Sequence, residues 1–169
     1  KINGCIGCTR CAADNICKQK DDWNEIGNKM RKAEGIIYGA PNYYGTINAL
    51  GHACLERTYS FRHQGEFLLQ GKPGIAVAID DQEENAVLPV IENMMLHNKM
   101  KVVEELAVEG YSQCYTCGFG HQCEVGSVVN EHGFLEEIKE EHLPLRFCDQ
   151  KKNLNQAIEI GKQLKKILT

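Results

Sequence analysis

The stretch Gly35-Ile36-Ile37-Tyr38-Gly39-Ala40-Pro41-Asn42-Tyr43-Tyr44-Gly45-Thr46 decides the fold. Its first half is a short apolar run that stops at a proline, the pattern of a strand buried within a parallel sheet. Its second half is a turn-rich loop carrying two aromatic rings. A helical stretch follows from about Thr46 to Tyr59, with Ile47, Leu50, Cys54 and Leu55 on one side. Cys54 on that face reads as a buried thiol. Upstream, Asp21-Asp22 offers a helix N-cap, and Trp23, Ile26, Met30 and Ala33 recur at helical spacing. Downstream, Gly71-Lys72-Pro73-Gly74 punctuates the chain before a second apolar strand, Ile75 to Ile79. A helix is predicted from Glu83 to about Asn98, disturbed early by Pro89, then a strand from Lys101 to Val108. Residues 109–148 are irregular and rich in Gly and Cys, and read as an insertion. A last amphipathic helix runs from about Leu154 to Leu168 through Ile158, Leu164 and Ile167.

Strand and helix alternate, which predicts an α/β fold with a doubly wound parallel sheet. In such sheets ligands bind outside the carboxyl ends of the strands. The loops Pro41 to Thr46 and Asp80 to Asn85 occupy those ends. At 169 residues the chain is long enough for one domain with a substantial core, expected to span residues 1–169. Its net charge of −4, without a basic block, argues against a nucleic-acid partner. No apolar run approaches the roughly 18 residues of a membrane span. Nine cysteines, an odd number gathered in dense groups, point to metal binding in a reducing, cytoplasmic compartment rather than to a disulfide framework.

The densest group lies in residues 1–20: Cys5, Cys8, Cys11 and Cys17, spaced C-x2-C-x2-C-x5-C. Four thiolates on one short loop can wrap a [4Fe-4S] cluster. Zinc accepts four thiolates too, but its structural sites usually pair two knuckles across a longer gap. Disulfides at two-residue separations are strained. The cluster is the expectation, with zinc, free thiols or disulfides as the alternatives.

Pro41, Asn42, Tyr43, Tyr44, Gly45 and Thr46 supply aromatic faces and backbone polar groups at a strand end, which a flat tricyclic ring requires. The same residues also make an ordinary turn, and such pockets serve many ligands. Taken with the cysteine loop, the chain resembles the iron-sulfur flavoprotein family, a branch of the flavodoxin-like NADPH-dependent FMN reductases. The resemblance runs from Cys5 to Val108: the compact cysteine motif, the acidic Asp21-Asp22, the strand with its P-x-Y-x-G type loop, a short motif at Glu56-Arg57-Thr58, and Gln82-Glu83 at the next strand end. It implies FMN bound by Pro41 to Thr46 with Asp81 and Gln82, and a [4Fe-4S] cluster on the four cysteines. It also implies a homodimer or homotetramer in which the cluster of one subunit approaches the flavin of another. Donors or acceptors would be ferredoxin or NAD(P)H. Two features depart from the family. Its opening strand and phosphate-binding loop have no counterpart here, so about forty residues are expected ahead of Lys1, an estimate from the roughly 30 residues of a βαβ unit plus a loop. Asp80-Asp81 replaces a glycine-rich segment, and carboxylates near a flavin would disfavour its anionic reduced form.

Cys114, Cys117 and Cys123 form a second group, expected to meet around one metal, zinc or iron-sulfur, with His121 or Cys148 as a fourth ligand. Free thiols, or a redox-active pair at Cys114 and Cys117, are the other readings. The remaining histidines, His52, His63, His97, His132 and His142, are scattered and read as ordinary surface or core side chains. There is no HExxH, no Ser-His-Asp pattern and no GxGxxG. The function expected is electron transfer between a [4Fe-4S] cluster and FMN. The alternatives are an NAD(P)H-dependent FMN or quinone reductase with structural cysteines, and a metal-stabilised interaction module without turnover.

Overall fold

A computed structural model describes residues 1–80 and 86–169. Asp81 and Gln82, two of the expected flavin-lining residues, lie outside the described residues, as does the expected helix start at Glu83. Among the described residues four strands form one sheet: β1 (Ile36–Tyr43), β2 (Thr46–Ile47), β3 (Pro73–Asp80) and β4 (Lys101–Glu109), in the order β2-β1-β3-β4. β1, β3 and β4 are parallel, with Ile36 opposite Gly74 and Ile79 opposite Val108. β2 is antiparallel to β1. The helices are α1 (Trp23–Lys32), α2 (Ala49–Arg57), α3 (Leu88–His97), α4 (Ser127–His132) and α5 (Lys151–Leu168).

Helices pack on both faces of the sheet, one face fully and the other over β3 and β4. Ile36, Ala40, Ala76 and Ala78 point to the face packed by α1, α2 and α3, where Trp23, Met30, Leu55, Ile91, Met94 and Met95 complete the main core. Trp23 and Phe61 stack at 5.4 Å between ring centroids. Ile75, Leu106 and Ile160 form a smaller core on the other face, beneath α5. Approach is close on the α3 side: a Cβ at Gly74 would sit 2.6 Å from Met95 Sδ, so the Met95 and Met100 side chains fill the space that glycine leaves. The whole is the flavodoxin-like α/β architecture. No helix among the described residues is long and apolar enough to cross a membrane.

Several local expectations differ from what forms. β1 runs three residues past the expected end, through Pro41 to Tyr43. Thr46 and Ile47 pair with Tyr43 and Asn42 instead of opening α2. Asn48 is the true N-cap, its side chain accepting from the Gly51 amide at 3.2 Å. Pro89 does not disturb α3 but sits in its first turn, where a missing N–H costs nothing. β1 is also not buried on both faces. Ile37 is 63% exposed, because α5 covers β3 and β4 and stops short of β1. On α5 the buried seam is Ala157, Ile160 and Leu164, which leaves Ile158 and Ile167 outward. The region after β4 is not wholly irregular: short 3-10 turns and α4 punctuate it.

Candidate functional site

The cysteine loop is held by its sequence neighbours and by the end of α2. Gly7 and Thr9 take left-handed φ of 64° and 56°, which turns the chain back on itself between Cys5 and Cys11. Glu56 accepts from the Cys5 amide at 2.9 Å. Asn15, buried, accepts from the His63 amide at 2.8 Å and donates to Glu66 at 3.1 Å, pinning the loop's far end. Cys5, Cys8, Cys11 and Cys17 thereby line a single cavity of about 350 Å³, together with Glu56, Arg57, Tyr59 and His63.

Each sulfur but one has a side-chain nitrogen beside it. Arg10 Nε donates to Cys8 Sγ at 3.4 Å, His63 Nε2 lies 3.0 Å from Cys11 Sγ, and Arg57 Nη2 donates to Cys17 Sγ at 3.2 Å. Cys5 Sγ accepts from the Gly7 amide at 3.5 Å. The Arg10 guanidinium pulls the Cys8 thiol below its ordinary pKa, whereas burial pushes Cys11 up. Arg57 anchors the arrangement. It is 1% exposed and grips Asp21 with two bonds, at 2.6 and 3.0 Å, while also donating to the Asn3 carbonyl at 2.8 Å. That pairing holds the Asp21 carboxyl down at about 2. Arg57 Nε, buried, has no acceptor among the described residues. The Arg57 atom that meets the cysteine loop is Nη2, which donates to Cys17 Sγ.

No three His, Cys, Asp or Glu side chains among the described residues converge closely enough to hold a single metal ion. That is true of this loop and of the Cys114 group alike. The loop's thiols surround a volume rather than a point, which fits a group of several atoms. His63 escaped sequence reasoning because nothing in its local pattern marks it; only the fold brings it across from residue 63 to Cys11. Arg57 was visible as part of a short motif, but its hold on Cys17 was not.

A second cavity, of about 700 Å³, opens at the carboxyl ends of β1 and β3. Pro41, Asn42, Tyr43 and Tyr44 line it with Ile79, Tyr111, Gln113 and Cys114. Gly45 and Thr46 do not. They belong to a two-residue hairpin in which Tyr44 and Gly45 both take positive φ, 55° and 75°, the geometry that joins twisted strands most tightly. The hairpin leaves the Tyr44 ring fully in solvent. Gln113 Nε2 donates to Tyr43 Oη at 2.9 Å, tying the Cys-rich segment to the tyrosine loop. Cys114 Sγ accepts from the Ser127 amide at 3.4 Å, and the Ser112 hydroxyl and this amide lower its pKa. Cys117 and Cys148 are exposed. The two cavities share no lining residue.

Residues 3–112 match the NADPH-dependent FMN reductase family. An iron-sulfur flavoprotein of Methanocaldococcus jannaschii is 35% identical over 106 residues, covering 61% of this chain and 54% of that protein. An iron-sulfur flavoprotein of Methanosarcina thermophila is 31% identical over 106 residues, 60% of this chain and 55% of that one. One from Clostridioides difficile is 29% identical over 112 residues, 64% of this chain and 48% of its own length. The chain thus spans about half the length of these relatives.

Proposed function

The chain belongs to the NADPH-dependent FMN reductase family, and from that premise we propose that it is an electron-transfer iron-sulfur flavoprotein carrying a [4Fe-4S] cluster and FMN. The observation that carries the reading is the single cavity lined by Cys5, Cys8, Cys11 and Cys17, with Arg57 Nη2 donating to Cys17 Sγ in its wall. The names of the relatives support it. Bound there, the two cofactors would exchange electrons, the cluster one at a time and the flavin one or two.

The chain's own residues do the rest. The four thiolates ligate iron. Arg57 and Arg10 offset their negative charge, and His63 places a further nitrogen against Cys11. Tyr43 and Tyr111 give the flavin cavity aromatic side chains, and Pro41 and Ile79 give it apolar walls. The donor or acceptor is NAD(P)H or a ferredoxin-like carrier, and the working unit is a homo-oligomer.

Anaerobic purification of the full-length protein tests this. Flavin absorption bands together with a broad iron-sulfur shoulder and matching iron and sulfide are expected. Cys8→Ala should remove one ligand, the shoulder and the EPR signal of the reduced cluster while the flavin bands stay. Unchanged iron and sulfide in that variant would refute the ligand set. Flavin without iron in the wild type would favour a plain NAD(P)H-dependent reductase with structural cysteines.

A further inference from the structure

The cavity at the strand ends has a wall that neither the cluster nor the tyrosine loop explains: Ser112, Gln113 and Cys114, which open the turn Ser112-Gln113-Cys114-Tyr115-Thr116-Cys117. Ser112 caps it, its hydroxyl accepting from the Cys114 amide at 3.3 Å. The amides of Thr116 and Cys117 both bond the Gln113 carbonyl at 3.0 Å, so Gln113 to Cys117 form one helical turn. Three residues along such a turn separate Cα atoms by about 5–6 Å, inside the range of roughly 4.4–6.8 Å that a disulfide spans. Cys114 lines the cavity shared with Tyr43 and Tyr44, with its thiol beside Gly126 and Ser127, and Cys117 is exposed. Gln113, between them and the tyrosine loop, bonds Tyr43. The Ser127 amide aims at Cys114 Sγ, a donor suited to a sulfur that bears negative charge. The segment is shaped for this contact. A Cβ on Gly120 would lie 1.8 Å from the Cys114 carbonyl oxygen, so only glycine lets the following loop close over the turn.

We propose that Cys114 and Cys117 are a redox-active dithiol that passes electrons between the flavin cavity and an external disulfide substrate. The inference rests on the flavin reading above. In the oxidised protein Cys114 and Cys117 share an S–S bond. This bond takes two electrons from reduced flavin and two protons from flavin and solvent. It breaks, two thiols form, and the flavin returns to its oxidised state. Cys117, the exposed thiol, then attacks a small or peptide disulfide as thiolate. The substrate's S–S bond breaks and one of its sulfurs leaves as a thiol. Cys114 resolves the mixed disulfide, releasing the second thiol and restoring the Cys114–Cys117 bond.

The test uses the full-length holoprotein under argon. It is oxidised with glutathione disulfide, alkylated, digested and read by peptide mass. A Cys114–Cys117 linked peptide and the loss of two alkylatable thiols per chain are expected. Photoreduction of the bound flavin should return both thiols, one disulfide for each flavin reoxidised. Cys117→Ser should abolish the linked peptide and flavin-dependent reduction of glutathione disulfide, while Cys123→Ser should keep both. A Cys114–Cys123 bridge, or zinc or iron bound to the group with both thiols protected, would overturn the proposal. So would a disulfide that bound, photoreduced flavin fails to reduce. Protein without bound flavin that still forms the Cys114–Cys117 bond would fail the flavin reading and sink the electron route with it, leaving a dithiol served from elsewhere.

Discussion

Arg57 is the residue on which the cluster loop turns. It is a fixed charge, nine-tenths buried and more, bonded at once to a proposed ligand sulfur and to Asp21. A donor to a ligating sulfur stabilises the more negative, reduced cluster. Asp21 opposes that by compensating the charge. The two residues should therefore shift the cluster's midpoint potential in opposite directions: Arg57→Gln to more negative values, Asp21→Asn to more positive ones. EPR-monitored titration with iron counted in parallel decides this. Shifts of the same sign would mean that the pair only holds the loop. The pair also fixes a pH dependence. The Asp21 carboxyl lies at about 2 in the folded chain, against roughly 3.9 when unfolded. Its contribution is therefore complete above about pH 5 and is lost as pH falls to and below 2, and it amounts to about 2–3 kcal/mol. Denaturant melts across that window should slope for the wild type. Asp21→Asn should lack this slope and be less stable at neutral pH, since it removes the carboxylate that neutralises the buried Arg57, a loss of up to about 3–5 kcal/mol.

At the scale of elements, what sequence could and could not reveal divides along local and non-local physics. The strands of the sheet were legible because Ile36 to Ala40 and Ile75 to Ile79 are short apolar runs between turn residues. α1 was legible because Trp23, Ile26 and Met30 keep helical spacing. The hairpin of β1 and β2 was not. Its signal is two positive φ values at Tyr44 and Gly45, and a tyrosine there carries no turn preference. The outward placement of Ile158 was also hidden, since the register of α5 is set by where Ile75 and Leu106 lie. The Cys-rich segment read as irregular because its order rests on contacts rather than on periodicity. One contact makes the point testable. Gly120→Ala puts a methyl carbon into the Cys114 carbonyl, backbone that cannot rotate away. The segment should open locally, with a penalty of about 1–3 kcal/mol typical of overpacking. Hydrogen exchange at residues 113–123 should quicken while the sheet stays protected. Unchanged protection at those amides would show that the loop absorbs the methyl and is not held by this contact.

For the whole molecule, the cysteine loop and the tyrosine loop were both legible as motifs, yet their relation was not. The first is positioned by the end of α2, the second by the ends of β1 and β3, and the two cavities have no lining residue in common. A chain that keeps its two centres in separate walls needs a route between them. A second copy supplies one if the cluster cavity of one subunit faces the tyrosine cavity of its partner, an arrangement that closed two-fold symmetry makes twice over. Complementation tests this directly. Cys8→Ala chains keep the flavin cavity and lose the cluster; chains with Tyr43→Ala and Tyr44→Ala keep the cysteine cage and weaken flavin binding. Neither parent should pass electrons from reduced flavin to the cluster. Co-expressed and purified as tag-selected hybrids, each dimer holds one working flavin cavity and one working cage on different chains. Cluster reduction, followed by EPR after stopped-flow mixing with NADPH, should return in the hybrids at about half the wild-type amplitude, one productive junction out of two. Hybrids as inert as their parents would place both centres of a working pair within one chain.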